Sequence, residues 1–349
     1  MSRLAPVEAS ASASAEAAAA AAAPSDKELA AAAQLSAFLG EDSAGMSELD
    51  SVRFLRARSM NIRKAARQYR QYLAWRTKEN IDAILTEGPM AEEQEAALHE
   101  CFQPRLLDGL DLLERPVFLL DVGRVDMGYM RQYGLTHADC LRRYVRELER
   151  LKNAVDASPH PERGQLVICD IGGCTLSKFT STWRLFAGVA TVGNAYYPEM
   201  MGCCCVVRGP SLGAWAVRSI KRVMDPISAE KIQLHSPGEP TLTALVALCG
   251  EAFGRRITEQ LGGHCSAEED SCKLTGQELD PEFLDFEGEG EEAFESAEEG
   301  DEPNEPPLRR ASTVFEKAER ALLVQKAIVE REPGSPGSIR LQRESIEIA

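Results

Sequence analysis

Two hydrophobic periodicities divide this chain. From Asp26 to about Glu100 the apolar residues recur at helical spacing. Leu29, Leu35, Phe38 and Leu39 fit a first helix, and Ser47-Glu48-Leu49-Asp50 reads as the capped start of a second, which runs through Val52 to Arg58. Asn61 caps a third, where Ile62, Ala65, Ala66, Tyr69, Tyr72, Leu73 and Arg76 share a stripe and Trp75 adds bulk. Beyond residue 100 short apolar runs alternate with amphipathic stretches. Pro116–Leu120, Gln165–Asp170, Cys203–Arg208 and Lys231–His235 read as strands. Thr136–Val155, Ser177–Val192, Ser211–Met224 and Leu242–Phe253 read as helices, the first opened by a Thr136/Asp139 capping box and striped by Leu141, Tyr144, Val145, Leu148, Leu151 and Val155. Cys203, Cys204 and Cys205 alternate faces of their strand and act as small hydrophobes. The expected fold is α/β: an N-terminal helical subdomain, then a mostly parallel sheet with helices. Its continuous apolar strands suit a sheet covered on both faces, or one wall of an apolar cavity.

Charge is distributed unevenly, and this changes the picture at the C-terminus. Residues 266–308 hold 17 Asp/Glu against a single Lys273, which equals the formal net charge of −16 for all 349 residues. Residues 1–265 are therefore nearly neutral and free to approach an anionic membrane surface. The acidic tail, 266–349, is expected to be disordered apart from a helix near 312–330, and to be available to a protein partner. Residues 1–25 form an Ala/Ser-rich arm with Glu8 and Glu16, expected to be solvated rather than a transit peptide, although plastid targeting stays open. The helical subdomain is assigned to 26–100 and the α/β domain to 101–265, closing at Gly262-Gly263. Ten cysteines without regular spacing point to a reducing compartment, here the cytoplasm. No apolar run is long enough to span a membrane, and no basic stripe interleaved with aromatics invites nucleic acid.

Catalytic motifs are sparse. Gly209-Pro210-Ser211-Leu212-Gly213 matches the G-x-S-x-G hydrolase elbow between a strand and a helix, with Asp225, Glu230, His235 and His264 downstream. Asp225 follows too closely, and no Gly-rich oxyanion loop precedes it. The simpler reading is a turn at Gly209-Pro210 with Ser211 as a helix cap. The five histidines are scattered, and there is neither a phosphate-binding loop nor a dinucleotide fingerprint. Neither metal nor cofactor is expected, and the chain is read as a binding protein rather than an enzyme.

Residues 196–202, Tyr-Tyr-Pro-Glu-Met-Met-Gly, and Asp225-Pro226-Ile227-Ser228-Ala229-Glu230-Lys231-Ile232 carry a more specific signal. Together with Arg58, which ends the run Arg53-Phe54-Leu55-Arg56-Ala57-Arg58, they resemble the CRAL-TRIO lipid-binding family over about residues 45–265. The resemblance implies one lipid held in an internal cavity, most plainly phosphatidylinositol, and no covalent chemistry. It implies that Glu199, Ser228, Lys231 and Arg58 hold the headgroup, a cation matching phosphate and a carboxylate matching hydroxyls. Ser211–Met224 matches the family's gate, with Leu212, Trp215, Ala216, Ile220 and Val223 on the apolar face and Arg218, Lys221 and Arg222 toward the other. Met200 and Ser59 replace basic residues frequent in phosphatidylinositol binders, so a tocopherol, retinoid or sterol-like ligand stays in play, as does a lipid-regulated scaffold. Arg309-Arg310-Ala311-Ser312 reads as a kinase site at Ser312.

Overall fold

The computed structural model describes residues 23–174, 176–209 and 229–262. The gate positions Leu212 to Val223, the elbow serine Ser211, the headgroup candidate Ser228, the kinase site Ser312, residues 1–22 of the N-terminal arm and the acidic tail lie outside the described residues.

The N-terminal helices begin where side chains can cap them. α1 (Asp26–Leu39) opens on a Ser25/Glu28 capping box. Ser47 caps α2 (Glu48–Arg56), and Asn61 caps α3 (Ile62–Lys78). These caps satisfy backbone N–H groups that the first turn leaves without partners. Leu35, Leu55, Ala65 and Ala66 are fully buried where the three helices meet. α4 (Glu92–Cys101) leads into the sheet.

The sheet has five strands in sequence order, β1 (Arg105–Leu110), β2 (Pro116–Asp121), β3 (Gln165–Asp170), β4 (Met201–Val207) and β5 (Ile232–Leu234). β1 pairs antiparallel with β2, and every later pairing is parallel. Crossovers carry α5 (Met127–Gln132), α6 (His137–Asp156) and α7 (Leu176–Tyr196); α8 (Glu239–Cys249) and α9 (Glu251–Gln260) follow β5. All six residues of β2 are buried, as expected of a strand covered on both faces. One core joins α4 to α7 to the face bearing Phe118, Leu120, Cys204 and Val206. The other joins α8 and α9 to Val117, Leu119, Ile168, Cys203 and Cys205. The cysteine run alternates as its period of two requires.

β1 and the α8–α9 pair differ from the expected pattern, and the short α5 was not anticipated either. β1 was not anticipated, because Asp108 and Gly109 weaken its signature and it is an edge strand whose register shifts between Leu106 and Leu110. It is held by a hairpin in which Asp111 accepts from the backbone N–H of Leu113 and of Arg115 and from Arg115 Nε at 2.7 Å, with both side chains fully buried. The single helix expected over Leu242–Phe253 is two. Gly250, at φ 81°, donates its N–H to the carbonyl of Val246 and ends α8, and the chain reverses into α9.

Candidate functional site

The segment 196–202 is built by contacts that reach across the chain. Tyr196, the last residue of α7, stacks on Trp75 of α3 with ring centroids 4.1 Å apart and planes within 5°. Tyr197 meets the same indole edge-on, and its hydroxyl donates to Glu149 Oε1 at 2.6 Å. Arg76 donates to the same oxygen at 3.0 Å. Burial, together with the Glu149 carboxylate, holds the Tyr197 phenol far above its ordinary range. The two tyrosines thus dock the helical subdomain onto the sheet domain. Gln68 of α3 adds donors to the carbonyls of Asn194 and Ala195.

Past buried Pro198 the backbone turns into the left-handed region at Glu199, φ 56°. A non-glycine residue adopts this region at a cost, so surrounding contacts must hold it there. Met200, which follows, is only 2% exposed and sits in the core beside α7, while its carbonyl accepts from Gln165 N–H. Gly202 then lies so close to the Arg163 carbonyl that a Cβ would come within 2.2 Å of it. The turn that buries Met200 leaves Glu199 at the entrance of β4. Its Oε2 accepts from Lys231 Nζ at 2.9 Å, and both side chains keep partial access to solvent. Lys231 immediately precedes β5, and its carbonyl accepts from Cys204 N–H, which fixes the backbone that carries the ammonium.

The structure therefore brings Glu199 and Lys231 together. Arg58 lies in the α2–α3 turn, with Nη1 donating to the Ala57 carbonyl and Ser59 and Met60 following at positive φ. At the opposite, C-terminal ends of the strands is a second polar group that sequence reading missed. Asp170 ends β3 and accepts from Arg208 Nε at 2.8 Å, with a further contact from Arg208 Nη2. Its neighbour Asp121 ends β2 in register with it, buried, with Oδ1 lacking a hydrogen-bond partner. Burial and the adjacent Asp170 push the Asp121 carboxyl up to about 6. Only pairing of β2 with β3 reveals this, since the two residues are far apart in sequence.

The two sheet faces are packed unequally. On the face toward α8 and α9, Leu166, Ile168 and Cys205 are fully buried. On the other, Val167 and Cys169 are only half-buried although they occupy a central strand. Both pack against the core that holds Phe118, Leu120, Cys204 and Val206 on the neighbouring strands, which are buried.

Residues 104–248 match the CRAL/TRIO domain model. These residues form a CRAL/TRIO domain. The SEC14 cytosolic factor of Yarrowia lipolytica is 26% identical over 245 residues, covering 68% of this chain and 48% of that protein. The phosphatidylinositol/phosphatidylcholine transfer protein SFH13 of Arabidopsis thaliana is 27% identical over 255 residues, covering 70% of this chain and 39% of that protein. The chain thus spans half or less of the length of these two relatives. A solved structure, the crystal structure of Sfh5, aligns with a TM-score of 0.46 at 14% identity over 58% of this chain and 70% of its own. In this CRAL/TRIO domain, residues 196–202 and Lys231 both fall inside the matched range, whereas Arg58 lies before it. Among the described residues no helix is long and apolar enough to cross a membrane.

Proposed function

We propose that this chain is a phospholipid-binding and transfer protein whose ligand is phosphatidylinositol, working in the cytoplasm with transient contact at membrane surfaces. The observation that carries the reading is the Glu199–Lys231 pair, 2.9 Å apart and partly accessible to solvent at the entrances of β4 and β5. An ammonium in that setting suits a phosphodiester, and a carboxylate beside it suits ring hydroxyls. The half-buried Val167 and Cys169 supply an apolar wall for acyl chains, each buried methylene contributing about 0.8 kcal/mol. Arg58 and Ser228 are assigned to the headgroup. The segment bearing Leu212, Trp215, Ala216, Ile220 and Val223 is assigned to the moving cover. The helical part, 26–100, serves as the platform on which Trp75 seats Tyr196, and 101–265 is the lipid-binding domain. The chemistry is non-covalent. The SFH13 relative is described as a phosphatidylinositol/phosphatidylcholine transfer protein, which supports the ligand class.

The test is the lipid carried by the full chain purified from cells, identified by mass spectrometry, with transfer between vesicles assayed for wild type and Lys231→Ala. An inositol lipid in one-to-one ratio is expected, with transfer of it lost in the variant. A partly exposed ion pair is worth only about 0–1 kcal/mol, so the variant's thermal midpoint should hold. A neutral isoprenoid or sterol in the cavity, or unchanged transfer, would refute the headgroup assignment. An empty cavity in the freshly purified chain would favour a lipid-independent scaffold.

A further inference from the structure

One face of α3 is strongly cationic and is not explained by lipid binding. Arg63, Arg67 and Arg70 lie along a helical stripe pointing to solvent, with exposed Lys64 beside them. Arg70 pairs with Asp42 at 2.7 Å, while Arg63 and Arg67 have no ion pair among the described residues. The three arginines line an open groove of about 460 Å³ together with Phe38, Gln71 and Ala74. Phe38 is 48% exposed, an unusual position for a large aromatic, and the Arg70 guanidinium lies 5.9 Å from its ring centroid. Cations, a concave apolar floor and an accessible aromatic ring together suit an acidic segment that also carries aromatic side chains.

The chain contains such a segment. Glu282 to Glu295 holds seven carboxylates, no basic residue, and Phe283, Phe286 and Phe294. We propose that this segment occupies the Arg63/Arg67/Arg70 groove of its own chain, its carboxylates facing the guanidinium groups and a phenylalanine against Phe38. Nineteen residues, 263–281, separate Gly262 from Glu282. At about 3.3 Å each they extend to roughly 65 Å, more than the roughly 45 Å breadth of a domain of this size. Reach is therefore no obstacle, and tethering supplies an effective concentration on the order of millimolar. Neutralising the stripe in cis would keep an anionic membrane off this face until salt, modification or a competing surface displaces the segment.

Zero-length carbodiimide crosslinking of the full chain, read by peptide mass spectrometry, tests this. Crosslinks from Lys64 to carboxylates of 282–295 should exceed those from exposed Lys27 and Lys78 several-fold, and should stay within one chain when isotopically light and heavy copies are mixed. In R63E/R67E, which keeps Lys64 and breaks no ion pair among the described residues, that excess should vanish while the melting curve holds. Equal labelling of the three lysines would overturn the proposal, as would an excess indifferent to charge reversal or found only between copies. Binding to phosphatidylcholine vesicles with and without phosphatidylserine gives the remaining arm. If wild type shows no Lys64 excess yet loses phosphatidylserine-dependent binding on R63E/R67E, the groove is a membrane site and the proposal fails. None of these outcomes depends on which lipid the cavity holds.

Discussion

At the scale of single residues, the segment 196–202 divides its labour sharply. Glu199 alone of its side chains meets Lys231, while Tyr196, Tyr197, Met200 and Gly202 hold the turn that presents it. Tyr197 is the strongest of these supports, because its hydroxyl shares Glu149 with Arg76 in a buried setting. Tyr197→Phe removes a donor to a charged acceptor but keeps the ring against Trp75. Such hydrogen bonds contribute about 1.5–3 kcal/mol. The variant should lose that much stability in urea titration of the full chain, while the Glu199–Lys231 pair survives. A loss below about 0.5 kcal/mol would mean that water replaces the tyrosine and that Glu149 is not a buried anchor.

At the scale of elements, close approach of backbones decides geometry that hydrophobic pattern cannot. α8 and α9 pack so tightly at Gly254 that a Cβ there would lie 2.7 Å from Val246 N and 2.8 Å from the Leu245 carbonyl. Gly254→Ala improves intrinsic helix propensity by about 1 kcal/mol, but it must force rigid backbone apart, which costs about 1–3 kcal/mol or more. The clash should win, lowering the thermal midpoint; a raised midpoint would mean that the two helices can slide. The same tertiary logic explains what sequence could and could not convey. α6 was legible because its Thr136/Asp139 capping box and its stripe from Tyr144 to Val155 are local, and both are present as expected. The alternation of Cys203, Cys204 and Cys205 was legible for the same reason. β1 was not, since its strand character comes from pairing with β2 rather than from Asp108-Gly109. The break at Gly250 was hidden inside an apolar run that a continuous helix fits equally well. The stacking of Trp75 on Tyr196 joins positions far apart in sequence, so the sequence could mark Trp75 as bulk and Tyr196 as part of the 196–202 motif but not the two as partners.

At the scale of the whole molecule, both faces of the sheet carry a core, and the function proposed here requires room for acyl chains on the face that bears Val167 and Cys169. Two cysteines on neighbouring strands test it with the same substitution. Cys205 is fully buried against α8 and α9, and burial holds its thiol well above the ordinary range. Cys169 lies on the opposite face and is only half-buried, although its thiol too is raised, by burial first and then by neighbouring Cys204 and Asp170. Tryptophan at Cys205 has no space to enter, and overpacking of this kind costs about 3 kcal/mol or more. If acyl chains occupy the Cys169 side, as proposed, tryptophan at Cys169 can grow into their space, so the domain should fold with little loss while the volume for acyl chains shrinks. Melting curves together with lipid extraction separate the cases: Cys205→Trp should be unstable, and Cys169→Trp should be stable and depleted of lipid. If Cys169→Trp destabilises as much as Cys205→Trp, both layers are filled and the cavity reading fails. If it is stable and still loads lipid in full, the acyl chains lie elsewhere, and the Glu199–Lys231 pair must be explained without them.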